Sequence, residues 1–256
     1  MNKAILVTVR TGSTRLPEKA LIELNGSITA IEYLIRRIQN SRNADGIILC
    51  TTTEVEDDIL VDIADRNGIN YFRGSTDDKL DRWLNAAEKF NVDYIVTADG
   101  DDLFCEPMLV DLAFEQFEKS KPDFIQSSGI ICGAFTYGIK VSALKKVCEI
   151  KDSDKTEMMW VYFTDTGLFN VEELLGAPQH YFRDDIRMTL DYKEDLVFFK
   201  EVLRLLGKSV EYVTLDEILQ IIDKNPHINK INYFRQKEFI ANQDAKTNLK
   251  IKDNVK

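Results

Sequence analysis

The sequence predicts an α/β protein, a mostly parallel sheet flanked by helices with a small mixed α/β lobe. Two observations carry that reading. Short β-rich apolar runs alternate with longer stretches of helical period, the pattern of strand-helix-strand units stacked side by side. The 256 residues, 44% hydrophobic and 30% charged, also have the mix of an ordinary globular protein and enough length for a well-buried core.

Taken in order, the first strand is Ala4 to Val9, followed by a polar loop. A helix is expected over Ile28 to Ser41, because Ile31, Leu34, Ile35 and Ile38 recur at helical spacing, with Arg36 and Arg37 on the other side. Gly46 to Thr51 reads as a strand and Glu54 to Asn67 as a helix, with acids in its first turn and a stop at Gly68. The alternation repeats with a strand over Ile69 to Phe72, a helix over Asp77 to Phe90, a strand over Tyr94 to Ala98, a helix over Pro107 to Lys119 and a strand over Asp123 to Ser127. Beyond about residue 130, Gly129, Gly133 and Gly138 punctuate aromatic, strand-like stretches that suggest a smaller mixed segment. Arg187 to Leu190 is expected as a strand, Tyr192 to Leu206 as an amphipathic helix, and Leu215 to Asp223 as the last helix before Pro226. Residues 1–225 form the expected domain. The stretch 226–256, rich in Lys, Asn and Gln, is expected to be a partly ordered polar tail.

With 33 Lys and Arg against 43 Asp and Glu, the formal charge is −10. Such an acidic chain is not expected to bind nucleic acid, which rewards a basic surplus; it suits a small-molecule protein with a local basic site. The four cysteines, Cys50, Cys105, Cys132 and Cys148, form no CxxC pair and read as reduced, mostly buried thiols. The two histidines, His180 and His227, have no partner at metal-site spacing. The apolar run before Arg10 is too short for a signal segment or a membrane span, so a cytoplasmic protein without a membrane partner is expected.

The chemistry gathers in three places. The loop Arg10-Thr11-Gly12-Ser13-Thr14-Arg15-Leu16-Pro17-Glu18-Lys19 packs arginines, a lysine, a glycine and hydroxyls behind the first strand. At the carboxyl end of a strand, such a loop wraps and neutralises phosphates; the competing reading is a solvated turn. It is neither GxGxxG nor GxxxxGK[ST]. Asp99, Asp101 and Asp102 follow the strand Tyr94 to Ala98, an acid cluster suited to Mg²⁺ bridging to phosphates or, alternatively, to an exposed Asx-rich turn. Asp191 stands between an expected strand and helix, where on its own it reads as a helix cap.

Together these segments, with Cys50-Thr51-Thr52-Thr53 through Asp57-Asp58, Phe72-Arg73-Gly74-Ser75-Thr76-Asp77-Asp78-Lys79-Leu80-Asp81-Arg82, Gly100-Asp101 and Asp191-Tyr192-Lys193-Glu194-Asp195-Leu196, resemble the cytidylyltransferase family. The branch they resemble is the spore-coat polysaccharide type, related to CMP-KDO and CMP-nonulosonate synthetases. The resemblance runs through about the first 220 residues. It implies a nucleotide-diphospho-sugar transferase-like, Rossmann-like fold and transfer of CMP from CTP to an acidic sugar or phosphorylated small molecule, with Mg²⁺ as cofactor and a homodimer as the assembly. Arg10, Gly12, Ser13, Thr14, Arg15 and Lys19 would hold the triphosphate, with Lys19, Arg15 and Arg10 stabilising the charge that develops at the α-phosphorus. Thr51 and Thr52, with Arg73 and Gly74, would face the pyrimidine. Asp101 and Asp191 would bind metal. Two alternatives stay open: a same-fold enzyme using another NTP or a sugar 1-phosphate, and a non-catalytic nucleotide-binding member. The segment Gly100-Asp101-Asp102-Leu103-Phe104 departs from the family pattern, in which a proline follows Gly-Asp closely. The aromatic stretch Met158 to Phe163, with Phe135, Tyr137 and Tyr181 to Arg183, falls where relatives contact the acceptor; as residues alone it reads as core or a dimer face.

Overall fold

A computed structural model describes residues 2–13, 15–24, 26, 28–207 and 212–253. Its strands are β1 (Lys3–Thr8), β2 (Gly46–Thr52), β3 (Asn70–Gly74), β4 (Tyr94–Asp99), β5 (Phe124–Gln126), β6 (Tyr137–Lys140) and β7 (Val171–Glu173). They form one sheet in the order β3-β2-β1-β4-β6-β5-β7. β1 pairs in parallel with β2 and β4, β2 with β3, and β5 with β7, whereas β6 runs antiparallel to both β4 and β5. The mixed segment beyond residue 130 thus continues the same sheet.

The helices are α1 (Ala30–Ile38), α2 (Asp58–Arg66), α3 (Lys79–Lys89), α4 (Pro107–Ser120), α5 (Val141–Ile150), α6 (Val161–Thr164), α7 (Lys193–Leu206), α8 (Leu215–Lys224), α9 (Asn229–Asn232) and α10 (Gln236–Lys246). Both faces of the sheet are covered, so its central strands are apolar on successive residues. Ile5 and Val7 of β1 join one core with α1, α2, α4, α7 and α8, while Ala4 and Leu6 join the other with α3, α5 and α6. Among the described residues no helix is long and apolar enough to cross a membrane. All four cysteines are free thiols, with Cys50 and Cys105 buried and Cys132 and Cys148 half-buried.

Four local expectations are corrected. The helix expected from Glu54 opens with a 3-10 turn over Val55–Asp57, and α2 begins only at Asp58, because the Asp57 side chain is turned inward to accept from Thr11, Thr51 and Thr52. Arg37 does not share the solvent face with Arg36: it is buried, donating to the Cys105 carbonyl (2.8 Å), to Glu106 (2.7 Å) and to the Val213 carbonyl. That trio of acceptors compensates a charge that burial would otherwise make costly. Arg187 to Leu190 is extended but belongs to no sheet; its amides bond the Cys132 carbonyl from Met188 and the Asp101 carbonyl from Leu190, each at 2.8 Å. Finally, Leu215–Lys224 is not the last helix, because α9 and α10 follow it.

Candidate active site

The strand order reverses direction between β1 and β4. From β1 the chain goes through α1 to β2 and β3 on one side, then returns to lay β4 on the other. In open α/β sheets, ligands bind in the crevice outside the strands' carboxyl ends at this switch point. A cavity of about 960 Å³ lies there, walled by Arg10, Gly12, Ser13, Arg15 and Lys19 after β1, by Asp99 at the end of β4 and by Gly100, Asp101 and Asp102 after it. Gly100 makes the two loops meet. Its amide donates to the Thr8 carbonyl (2.8 Å), and a Cβ placed on it would sit 2.7 Å from Val9 Cβ. Any side chain there would push Asp101 away from the β1 loop.

Lys19 is the hub of the charges. Its Nζ lies 2.6 Å from Asp101 Oδ2 and 2.8 Å from Asp191 Oδ1, and Arg15 donates to the same Asp191 oxygen. Burial works against the Lys19 ammonium, but the Asp101 and Asp191 charges hold its pKa above the ordinary lysine value. Burial also opposes the Asp191 carboxylate, yet Lys19 and Arg15 bring it down to about 2. Asp101 moves the other way: burial, with Asp191 and Asp99 adding their charges, outweighs Lys19 and raises it. Asp102, buried beside Asp101 and Asp99, is raised well above the carboxylate range by burial first and those two acids next. Asp99 is neutralised by Lys79 at 2.8 Å.

The geometry separates the residues predicted for the site. Arg10, Gly12, Ser13, Arg15, Lys19 and Asp101 are gathered at the cavity, and Asp191 joins them through Lys19 and Arg15. Thr14 lies outside the described residues. Thr51 and Thr52 are buried, their hydroxyls donating to Asp57 Oδ2, which also accepts from Thr52 N (3.3 Å); Asp57 Oδ1 takes the Thr11 amide (2.8 Å). These threonines therefore anchor the β1 loop through Asp57, to which both hydroxyls give their protons. Arg73 is committed to Asp58 and to the Thr52 and Glu54 carbonyls, and Gly74 passes against the Arg82 side chain. Neither is at the cavity wall, whereas Arg82 is, buried and with its Nε unpartnered among the described residues.

Asp191 is not the helix cap that its position suggests. Asp195 caps α7, accepting from the amides of Asp191 (2.8 Å) and Tyr192 (2.9 Å), which frees Asp191 for the cations. The aromatic stretch divides. Tyr162, Phe163 and Tyr181 are core, and Arg183 pairs with Asp185 and Asp223 away from the site. Met158, Met159, Trp160, Phe135 and Tyr137 reach the cavity. Residues missed in the sequence include Asp57 as an anchor, Arg82, and the cavity-lining Gln236, Phe239, Asn242 and Lys246 of α10. Asp195 stood four residues after Asp191, a spacing that was the available signal.

Among the described residues no three acid, histidine or cysteine side chains form a closed metal cage. Mg²⁺ does not need one, since it commonly takes one or two carboxylates and fills its remaining positions with water and substrate phosphates. Asp101 and Asp191 present oxygens within 2.8 Å of one common point, now held by the Lys19 ammonium. Two hard oxygen donors converging on a cationic position beside a phosphate-type loop fit that ion.

A family model described as cytidylyltransferase matches residues 4–212. An uncharacterised protein of Methanocaldococcus jannaschii is 33% identical over 239 residues, 91% of this chain and 96% of its own length. Spore coat polysaccharide biosynthesis protein SpsF of Bacillus subtilis is 26% identical over 228 residues, 86% of this chain and 94% of its own. Among solved structures, a cytidylyltransferase from Leptospira borgpetersenii superposes with a TM-score of 0.80 at 27% identity, covering 89% of this chain and 96% of that one. A CMP:2-keto-3-deoxy-manno-octonic acid synthetase complexed with CTP shares the fold, with a TM-score of 0.62 at 13% identity over 80% of this chain and 100% of that one.

Proposed function

The chain belongs to the cytidylyltransferase family, and on that premise we propose that it transfers CMP from CTP to an acidic sugar or phosphorylated small molecule, releasing pyrophosphate. The product would feed the synthesis of a surface polysaccharide or glycoconjugate, and the reaction would run in the cytoplasm. The observation that carries this reading is the meeting of Lys19, Arg15, Asp101 and Asp191 at the switch point between β1 and β4.

In this reading Arg10, Gly12, Ser13 and Arg15 bind the triphosphate, the last with its guanidinium already aimed into the site by Asp191. Lys19, kept charged by its two acids, stabilises the negative charge that builds on the α-phosphoryl and leaving oxygens. No histidine is required, because phosphoryl transfer is mostly positioning and charge stabilisation. Asp101 and Asp191 would hold Mg²⁺ at the point that the Lys19 ammonium now fills, with Lys19 turned to the phosphates; the ion would neutralise phosphate charge and help orient the attacking group. The cavity, whose wall also carries Trp160 and Tyr137, has the room and the mixed polar and aromatic lining for the acceptor.

The test is pyrophosphate release with Mg²⁺ and CTP across 3-deoxy-ulosonic acids, nonulosonates and phosphorylated small molecules, with ATP, GTP and UTP as controls and EDTA as a blank. Release specific to CTP and Mg²⁺ with one acceptor supports the reading. Release with another NTP would replace it with a different base, and absence of both turnover and CTP binding would sink it.

A further inference from the structure

Behind Asp191 lies a second group of charges that the phosphate loop does not touch. Arg187 is fully buried. It donates to Asp195 Oδ1 (3.0 Å) and Oδ2 (3.2 Å), to Asp191 Oδ2 (3.2 Å) and to Gln236 Oε1 (3.0 Å). Asn232, also fully buried, donates through Nδ2 both to Asp195 Oδ1 (2.9 Å) and to the Arg187 carbonyl (3.0 Å). The Phe239 ring lies 4.3 Å from the guanidinium and covers it.

The oxygens of Asp191 are therefore divided: Oδ1 faces Lys19 and Arg15, while Oδ2 is gripped by Arg187. A carboxylate with one oxygen fixed by a buried guanidinium is not free to turn, so the direction of its other oxygen is set from behind. Arg187 and Asp195 alone would complete a stable pair. The remaining guanidinium contacts go to the site carboxylate and to α10, whose sequence lies beyond the stretch matched by the family model.

We infer that Arg187 is a positioning residue for Asp191 and that Asn232 and Gln236 hold Arg187 in place. The C-terminal helices then set how tightly the phosphate end of the site takes its nucleotide. The choice of ligand rests on the reading of this cavity as a CTP·Mg²⁺ site; the mechanical link does not.

Arg187 is a poor place to test the link, because its removal would leave Asp195 a buried unpaired charge and could unfold the chain. Half-buried Gln236 is the better position. In the full chain, Gln236→Leu removes the acceptor for Arg187, and Gln236→Glu keeps an oxygen there. Calorimetric titration with CTP·Mg²⁺ should show Gln236→Leu weaker by about tenfold, the low end for partners behind a metal ligand, with Gln236→Glu returning toward wild type. Amide exchange at Asp191 and Tyr192 should quicken in Gln236→Leu and recover in Gln236→Glu. A Gln236→Leu protein with a lower Tm but unchanged CTP·Mg²⁺ affinity and exchange overturns the inference, as does a Gln236→Glu protein no better than Gln236→Leu. If the wild-type chain binds no CTP·Mg²⁺, the functional reading fails instead; the exchange readout still decides the link, quicker exchange upholding it and unchanged exchange overturning it.

Discussion

Lys19 holds two carboxylates at the point where phosphate charge is expected, so its loss has two separable effects. Lys19→Ala is expected to lower turnover by more than about tenfold, roughly 1.4 kcal/mol of transition-state stabilisation. It should also leave Asp101 and Asp191 facing each other without their shared cation, so Mg²⁺ should raise the Tm of the variant more than that of wild type. Equal Tm shifts in thermal scans would count against a metal position between the two acids. Asp57 poses a stability question. Although burial disfavours its charge, hydrogen bonds from Thr52, Thr11 and Thr51 hold its pKa below the usual carboxylate value. A lowered folded pKa gives stability that is present above the unfolded pKa of about 3.9 and is lost as pH falls through the folded value. Asp57→Asn is thus expected to cost about 1–3 kcal/mol near neutral pH, with the gap to wild type narrowing below about pH 4; urea titrations at several pH values measure it. Lys19 and Asp101 stood out in the sequence as chemistry-bearing types that follow apolar runs, whereas Asp191 read locally as a helix cap and stood out only through the family resemblance. Arg187 and Asp57 were not: a charged residue in a local sequence reads as exposed, and its burial is made tolerable by partners that the fold brings to it, among them Gln236 for the Arg187 guanidinium and Thr11 for Asp57.

At the scale of elements, the pairing of the β1 and β4 loops turns on one small residue. Gly100→Ala would drive a methyl into Val9, with separations of 2.7 Å and 2.8 Å to its Cβ and Cγ2. Overpacking at such a contact costs about 1–3 kcal/mol, read as a lower urea midpoint, and the displaced Asp101 should lower turnover as well. Full activity in Gly100→Ala would show that the loop tolerates the shift. The strongly periodic helices were legible, α1 most plainly, where Thr29 and Glu32 cap the first turn reciprocally. α10 was not, because its apolar residues Phe239 and Ile240 are adjacent and recur at no helical interval. The helix owes its place to tertiary partners: Gln236 on Arg187, Asn242 on the Tyr192 hydroxyl (3.3 Å) and Lys246 on Glu157 (3.2 Å). Thr51 and Thr52 illustrate the converse limit, since a strand-end hydroxyl is visible in the sequence but the group it serves is not.

For the whole molecule, a ligand that binds the folded chain alone must stabilise it. CTP·Mg²⁺ at a hundredfold excess over its Kd is expected to add about 2.7 kcal/mol, seen as a Tm that climbs with nucleotide concentration, and EDTA should remove most of the increment. No climb with CTP would contradict binding at this cavity. The parallel half of the sheet was legible from the alternation of strands and helices. Its continuation was not, because β5 and β7 have only three residues each and β6 inserts antiparallel between β4 and β5, an order that no local pattern encodes. The order has a consequence for the chain while it is being made. β2 and β3 emerge from the ribosome before β4, so the half-made sheet reads β3-β2-β1 with β1 at its rim. That rim presents unpaired backbone groups between Ile5, Leu6 and Val7 until Tyr94 to Asp99 arrives to cover it. Neighbouring ribosomes on one messenger hold such rims close together, where they invite strand pairing between nascent chains. Less frequent initiation, which spaces the ribosomes and lowers the number of open rims present at one time, is therefore the lever on recovered yield.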